Sequence, residues 1–570
     1  MSKVIEPVVS EKGAIAHPGY VAHSEDFRPK AHRVSERVWC AVGYGLSNVT
    51  LVLGDEGAIL IDSGECVEEM AEVLDAFGPA IDRPVVAFIC SHSHYIGGTA
   101  EVQRRWPGCV DVWAHEALPQ VMADVGAEIG PAYNRRLMIQ FGRHLPLTGP
   151  DSMPNYGIGP FMWREGKKTN GFVTPTRWLP AAVTETRIAG LRVRLDGRFA
   201  SDSRDTIIIE FPDLRTVVNN HVWPCLFNIY PLRGELYRDP LVMVDAIDAI
   251  RAAQPEHLVG VHGLPVSGAA RVRECLADQR DSIQYLWDQT ARGINLGLTP
   301  DELAAEIALP ARLQASPWVQ PWYGETPYHV RAIHNGLFGW YGRDTSTLHP
   351  VAPARRARLL VDGLGGRERV IAQANDAIAR GEHSWAAELC SHLLALDVGD
   401  REVAGLKASV LRHLAQRTSA ANTRAFYLEE ALALEAGSAG RRLVPVRPAR
   451  PVVMRSAPGR FLRAIAARLD PARAADADEV FRLTLDGTGV AGGLHVVGGV
   501  GRFVAGDPSA AGEPGRVDLG LTCDKETWSM LLSGKTRLDD ALAAGTARID
   551  CGSAAALLAF FDRFDNLSLR

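Results

Sequence analysis

The stretch FICSHSHYIGGTA, residues 88–100, constrains this chain more than any other. The apolar run RPVVAFIC leads into His92-Ser93-His94, and only Tyr95 and Ile96 separate these from Gly97-Gly98. A continuous apolar run of this kind predicts a strand buried on both faces. At a strand end, side chains at i and i+2 point the same way, so His92 and His94 can meet one metal ion. Imidazole suits zinc and iron. Two polar histidines closing a strand also satisfy the pattern without any ion. Two further strand ends favour the metal: ILIDSG places Asp62 and VGVHGLP places His262, and the sites of layered α/β proteins gather at strand ends.

The rest of the chain predicts several domains, as its 570 residues require. Residues 1–30 read as an irregular arm. RVWCAVGYG, SNVTLVLGD and GAILIDSG are short β-type runs, CVEEMAEVLDAFG has helical spacing, and strand–helix alternation recurs, so residues 31–270 are expected to be a layered α/β domain. Within it, residues 129–180 read as a long functional loop. From GAARVRECLADQRDSIQYLWDQTARGI the pattern turns helical, with Thr299 as an N-cap in TPDELAAEIAL, and residues 271–437 are expected to be all-α. Residues 438–450 read as a basic, Pro-containing linker, and 451–570 as a small α+β domain.

A net charge of −6 with 22% charged residues offers no basic surface for nucleic acid. No apolar run approaches the roughly 18 residues of a membrane span. The opening MSKVIEPVVSEKGAIAHPGY has no signal-peptide core, and the nine cysteines form no CxxC pair. These features read as a cytoplasmic protein with reduced thiols. Cys90 and His115 read as structural.

ILIDSG, SHSH…GG, NRRLMIQFGRHLP, FNIYPLRG…YRDP and GVHGLPVSG together resemble the alkylsulfatases of the metallo-β-lactamase superfamily. The resemblance extends through GLFGWYGRDTSTLHP and FYLEEALAL into the last 125 or so residues. It implies a metallo-β-lactamase αββα sandwich, then an all-α dimerisation domain, then a sterol-carrier-protein-like α+β domain. It also implies two metal ions: one on the histidines of HSH plus an acid from a later strand, the other on an Asp-His pair, a distal histidine and a bridging acid. Carried over, His92 and His94 match the first pair, His262 the distal histidine and Asp239 the bridging acid. The later-strand acid falls at Asn220 or His221, and His221 is expected to serve in its place. The Asp-His pair is missing, with Tyr95 and Ile96 in the gap, and Phe227 stands where the family has a histidine before Asn228.

The resulting expectation is a metal-dependent hydrolase acting on a sulfate ester or similar small anionic, amphiphilic substrate. One divalent ion per chain, zinc with iron or manganese as alternatives, is expected on His92, His94, His221, Asp239 and His262, while Tyr95, Asn228 and Arg233 steady the anion. Non-hydrolytic metal chemistry (a lyase or iron–oxygen reaction) and simple binding of an apolar ligand are the competing readings. A homodimer is expected through the helices, with Trp287, Trp318, Trp322, Trp340 and Tyr341 as its apolar load.

Overall fold

The computed structural model describes residues 5–108, 110–124, 128–160, 166, 169–439, 447–448, 450–455, 457–510 and 515–570. It divides into two compact units. One comprises Met1–Leu118 and Arg136–Gly440, the other Pro119–Arg135 and Arg441–Arg570. Most of the expected linker, 440–446 and 449, lies outside the described residues.

The first unit holds two large sheets besides a two-stranded one near its N-terminus. The seven-stranded sheet runs in the order Lys30–Arg33, Val38–Val42, Val49–Leu53, Ala58–Ile61, Val85–Ile89, Asp111–His115 and Arg177–Leu179. Its early strands pair antiparallel; from Ala58–Ile61 onward they pair parallel. The six-stranded sheet follows chain order from Val183–Ile188 to Val266–Ser267, with one parallel pair, Thr216–Asn219 beside His257–Gly260. Strand alternation builds the layers. Val218 and Val259 enter the core between the sheets with Ile59, Ile61, Ile89 and Ile209, while Val217 and Leu258 face the other way, toward Met243, Val244 and Ile247 of the helix Pro240–Ala252. The helix Val67–Phe77 buries Met70, Val73, Leu74 and Phe77. This is the αββα sandwich expected from the sequence. Its central strands read as continuous apolar runs because both faces are covered.

The helical region begins with Ala269–Asn295 and ends with Ala421–Glu435. Thr299 and Glu302 form the reciprocal capping box that starts Pro300–Glu306. Sandwich and helices share one continuous core in which Val222, Leu226 and Val261 join Leu276, Ile283, Leu303 and Leu428. Trp287, Trp318 and Trp322 pack against this core, so they are not free anchors for a partner; Trp340 remains 67% exposed.

Two local expectations are corrected. The N-terminal arm is ordered: Val8–Val9 pairs with Ile15–Ala16, and Tyr20 is fully buried. The buried guanidinium of Arg424 donates to the carbonyls of Ile15, Ala415, Pro150 and Ser152. Nothing local in the arm signals this, because its partners lie far along the chain. The long loop also contains a helix, Gly130–Gln140.

The second unit is a five-stranded sheet in the order Val500–Val504, Gly489–Val497, Asp478–Leu485, Leu519–Cys523 and Ala547–Cys551. Phe481, Trp528, Phe560, Phe561 and Phe564 form its core. Among the described residues, no helix is long and apolar enough to cross a membrane.

Truncating Ile209, fully buried between the two sheets, to alanine is expected to destabilise the protein by roughly 2–5 kcal/mol, read as a lower urea midpoint with unchanged slope.

Candidate metal centre

Two adjacent parallel strands deliver the centre of the site. Ile61 and Ile89 are in register, and the chain leaves them as Asp62 and Cys90-Ser91-His92. Asp62 adopts a left-handed conformation, φ 60°, and its carboxylate accepts from the Ser91 amide at 2.8 Å and the Ser91 hydroxyl at 2.7 Å. With its proton given to Asp62, Ser91 Oγ accepts from His92 Nδ1 at 2.8 Å. That relay fixes the imidazole tautomer and leaves the Nε2 lone pair unprotonated. His92 is fully buried, and its Nε2 has no hydrogen-bond partner among the described residues. Burial holds His92 down to about 3, against the pull of Asp202, so the ring is neutral and ready to ligate.

The glycines keep this turn tight. A Cβ on Gly97 would lie 2.0 Å from the Glu65 carbonyl oxygen, and one on Gly98 2.2 Å from that of Ser63. Main-chain bonds from Gly97 N to Gly64 O (3.1 Å) and from Gly171 N to Gly97 O (2.6 Å) strap the turn on both sides.

The acid of the site is Asp202, from the loop between Leu191–Asp196 and Ile208–Phe211. One carboxylate oxygen lies 3.4 Å from His94 Nδ1, the other 3.9 Å from His92 Nε2. Ligand atoms of His92, His94 and Asp202 all lie within 4.8 Å of one another. Burial raises the Asp202 carboxyl, but the hydrogen bond from His94 and the charge of Arg238 beside it hold the group well below the usual carboxylate range. Asn220 donates to Asp202 at 2.5 Å and accepts from Trp223 Nε1 at 3.1 Å, which fixes the amide's orientation. Sequence reasoning looked for the acid at Asn220 or His221 and missed Asp202, which sits in the irregular segment RFASDSRD, where no periodicity marks an inward position. Its one available signal was an aspartate pair, Asp202 and Asp205, just before a buried strand.

The other expected ligands divide. His221 is fully buried with both ring nitrogens lacking partners among the described residues, and burial lowers it to about 4 against the attraction of Asp202. It remains available to an ion. His262 has a hydrogen-bond partner at each ring nitrogen. Its Nδ1 lies 2.7 Å from the Leu46 carbonyl, which can only accept, so Nε2 is bare and accepts from the Tyr95 hydroxyl at 3.4 Å. Asp239 is not part of the cluster: it is exposed and caps the helix Pro240–Ala252 by accepting from the Leu241 amide at 2.9 Å. Sequence position alone cannot separate a bridging acid from an N-cap.

Tyr95 is buried, with its ring edge-on to those of His92, His94 and His262 at centroid distances of 5.2, 6.0 and 5.3 Å. Phe227 is fully buried against Trp223, ring centroids 4.8 Å apart, so packing replaces any proton donor there. Cys90 is buried, and His115 binds the Ala117 amide and the Gly197 carbonyl; both are structural as expected.

A cationic wall stands beside Asp202. Arg233 and Arg238 are both buried and share Glu235, at 2.9 and 3.0 Å. Arg238 also donates to the Asn228 carbonyl at 2.8 Å, while its Nε and the Asn228 side-chain oxygen lack partners among the described residues. Arg238 was not singled out in the sequence. The two guanidiniums face Glu235 and Asp202, so a cation held on Asp202 would leave positive charge suited to an anion.

The donor set, one low-pKa carboxylate and neutral imidazoles with orphaned buried nitrogens, fits a divalent cation. Replacing Asp62 by asparagine is expected to weaken metal affinity by roughly 10–100-fold. Asp202→Asn should weaken it further and Asp239→Asn not at all, as read by competition with a chromophoric chelator.

Residues 299–437 match the family described as alkyl sulfatase dimerisation. A linear primary-alkylsulfatase from a Pseudomonas species is 33% identical over 532 residues, covering 90% of this chain and 98% of that protein. An (R)-specific secondary-alkylsulfatase from Pseudomonas is 26% identical, covering 94% and 80%. The fold matches that of a stereoselective inverting sec-alkylsulfatase from Pseudomonas with a TM-score of 0.84 over 99% of this chain and 89% of the other, at 24% identity. With the layered sheets and the buried His-x-His site, these findings place the chain in the alkylsulfatase family of the metallo-β-lactamase superfamily.

Proposed function

We propose that this protein hydrolyses sulfate esters of amphiphilic alcohols with one divalent ion per chain, zinc first among the candidates, held by His92, His94 and Asp202 with His221 beside them. The observation that carries the single-ion reading is the Tyr95–His262 hydrogen bond. The Asp-His pair is absent from the sequence, Tyr95 takes up the lone pair of His262, and Asp239 caps a helix. A second ion would have too few ligands to compete with water. The relatives' sulfatase activity favours hydrolysis over the lyase, iron–oxygen and purely binding alternatives.

An ion in that position supplies Lewis-acid activation of water and of the sulfate group near neutral pH. The chain's own groups do the rest. Asp62 and Ser91 keep the ligating face of His92 unprotonated. Arg238, whose Nε has no partner among the described residues, and Arg233 offer charge-assisted hydrogen bonds to the sulfate oxygens. Asn228 contributes a polar edge, and the Tyr95 hydroxyl stands among the three histidines as a neutral donor that orients but carries no charge. With Phe227 in place of a histidine, expulsion of the alcohol has no dedicated imidazole donor, so turnover of simple alkyl sulfates should be slow.

The catalytic assignment goes with residues 31–270 and dimerisation with 271–437. We infer a homodimer, supported by the dimerisation family match and by the exposed apolar run Leu337, Phe338, Trp340 and Leu348. The eight described cysteines are all free, in keeping with a cytoplasmic location.

Elemental analysis of protein purified without chelator is expected to give one divalent ion per chain, lost in His92→Ala, with slow sulfate release from octyl or dodecyl sulfate that chelation abolishes. Two ions per chain would overturn the single-ion reading; no sulfate release from either ester would overturn the hydrolase reading. Light scattering at micromolar concentration is expected to give twice the mass of one chain.

A further inference from the structure

The segment from Val222 to Asp239 carries Asn228, Arg233 and Arg238, yet it contains neither helix nor strand. A loop holding two buried guanidiniums cannot keep its shape through its own backbone bonds and needs outside partners. It finds them in the helical region. Gln279 donates to the carbonyls of Trp223 and Cys225 at 2.6 and 2.7 Å, the Gln320 carbonyl accepts from the Leu226 amide at 2.9 Å, and His329 Nδ1 accepts from the Tyr230 amide at 3.2 Å.

We propose that His329, on the helix Thr326–Phe338 of the dimerisation region, is a positioning residue for the substrate anion, holding the Asn228–Arg238 loop in its binding shape through the Tyr230 amide. Tyr230 stands between Asn228 and Arg233, so its amide is tied down midway between them, as the Arg233 amide is by Gln140 Oε1 at 3.1 Å. A backbone N–H can only donate. The ring must therefore present a bare Nδ1, carry its proton on Nε2, and remain uncharged. Its surroundings enforce that state. His329 is fully buried, and burial, reinforced by the charge of Arg238, lowers it to about 3. An imidazolium there would lose the acceptor and repel Arg238. Seven residues further along the same helix, Gly336 lets the Tyr237 ring pack closely: a Cβ there would lie 2.1 Å from it. One helix thus grips both ends of the loop. The helical region is part of the binding site's construction as well as a surface for a second copy.

The proposal rests on the sulfatase reading of the site, and the test separates the two. The primary probe is inorganic sulfate, titrated calorimetrically into the metal-loaded full chain. His329→Leu fills the space without an acceptor and is expected to weaken sulfate binding about tenfold, the loss of one backbone hydrogen bond of about 1.4 kcal/mol. With octyl sulfate, KM should rise by the same factor, while kcat stays within about threefold. His329→Asn restores an acceptor and is expected to return both to within about threefold of wild type. Metal content and molecular mass should be unchanged throughout. If His329→Leu does not fold, His329→Ala takes its place with the same expectations. The proposal fails if the leucine or alanine variant binds sulfate as tightly as wild type, if asparagine gives no rescue, if kcat falls with lost metal, or if the wild-type chain binds no sulfate. A chain that binds sulfate with the expected pattern yet cleaves no ester would overturn the hydrolase reading and support this one.

Discussion

The site depends on one buried negative charge. Asp202 is about nine-tenths hidden from solvent and would not stay ionised alone. Its neighbours keep it so: Asn220 and His94 in contact and the charge of Arg238 behind. The same desolvation acts on the imidazoles in the opposite sense and keeps His92 and His221 neutral. Burial therefore makes one carboxylate beside unprotonated nitrogens the stable arrangement, which is the protonation state a divalent cation requires.

The short turn after His94 shows how a local change spreads. With Tyr95 and Ile96 alone before the glycines, Gly97 and Gly98 approach the Glu65 and Ser63 carbonyls at distances that exclude any side chain. Tyr95 then stands where its hydroxyl meets His262. That histidine keeps its orientation through Leu46 and an edge-on contact with Trp223, ring centroids 4.5 Å apart. Its Nε2 thus faces the Tyr95 hydroxyl.

The shared core of sandwich and helices has a similar consequence. Residues 222–239 are too irregular to position charged groups unaided, and the polar side chains of the helical region accept and donate where the loop's own backbone does not. A region matched to dimerisation thereby holds the loop that carries Asn228, Arg233 and Arg238.

Much of this was legible in the sequence. Apolar runs of strand length, the helical period after residue 270 and the capping box at Thr299 are local patterns, and each appears as read. His92 and His94 were legible because an i, i+2 pair on a strand end has only one geometry. Asp202, Arg238 and His329 were not, because each belongs to a segment whose neighbours give no hint of which way it faces. The ordering of the N-terminal arm by Arg424 escaped for the same reason, its partners lying hundreds of residues apart. Asp239 and His262 read as metal ligands, and the sequence could not show what else they bind. One caps a helix and the other accepts a hydrogen bond from the Tyr95 hydroxyl. The sequence by itself determined the layers, their order and the pair of histidines, since these follow from periodicity and strand geometry within a few residues. Only the tertiary structure decided which acid lies beside the two histidines and which groups meet His262, because hydrogen bonding and desolvation depend on what folding brings within about 3 Å.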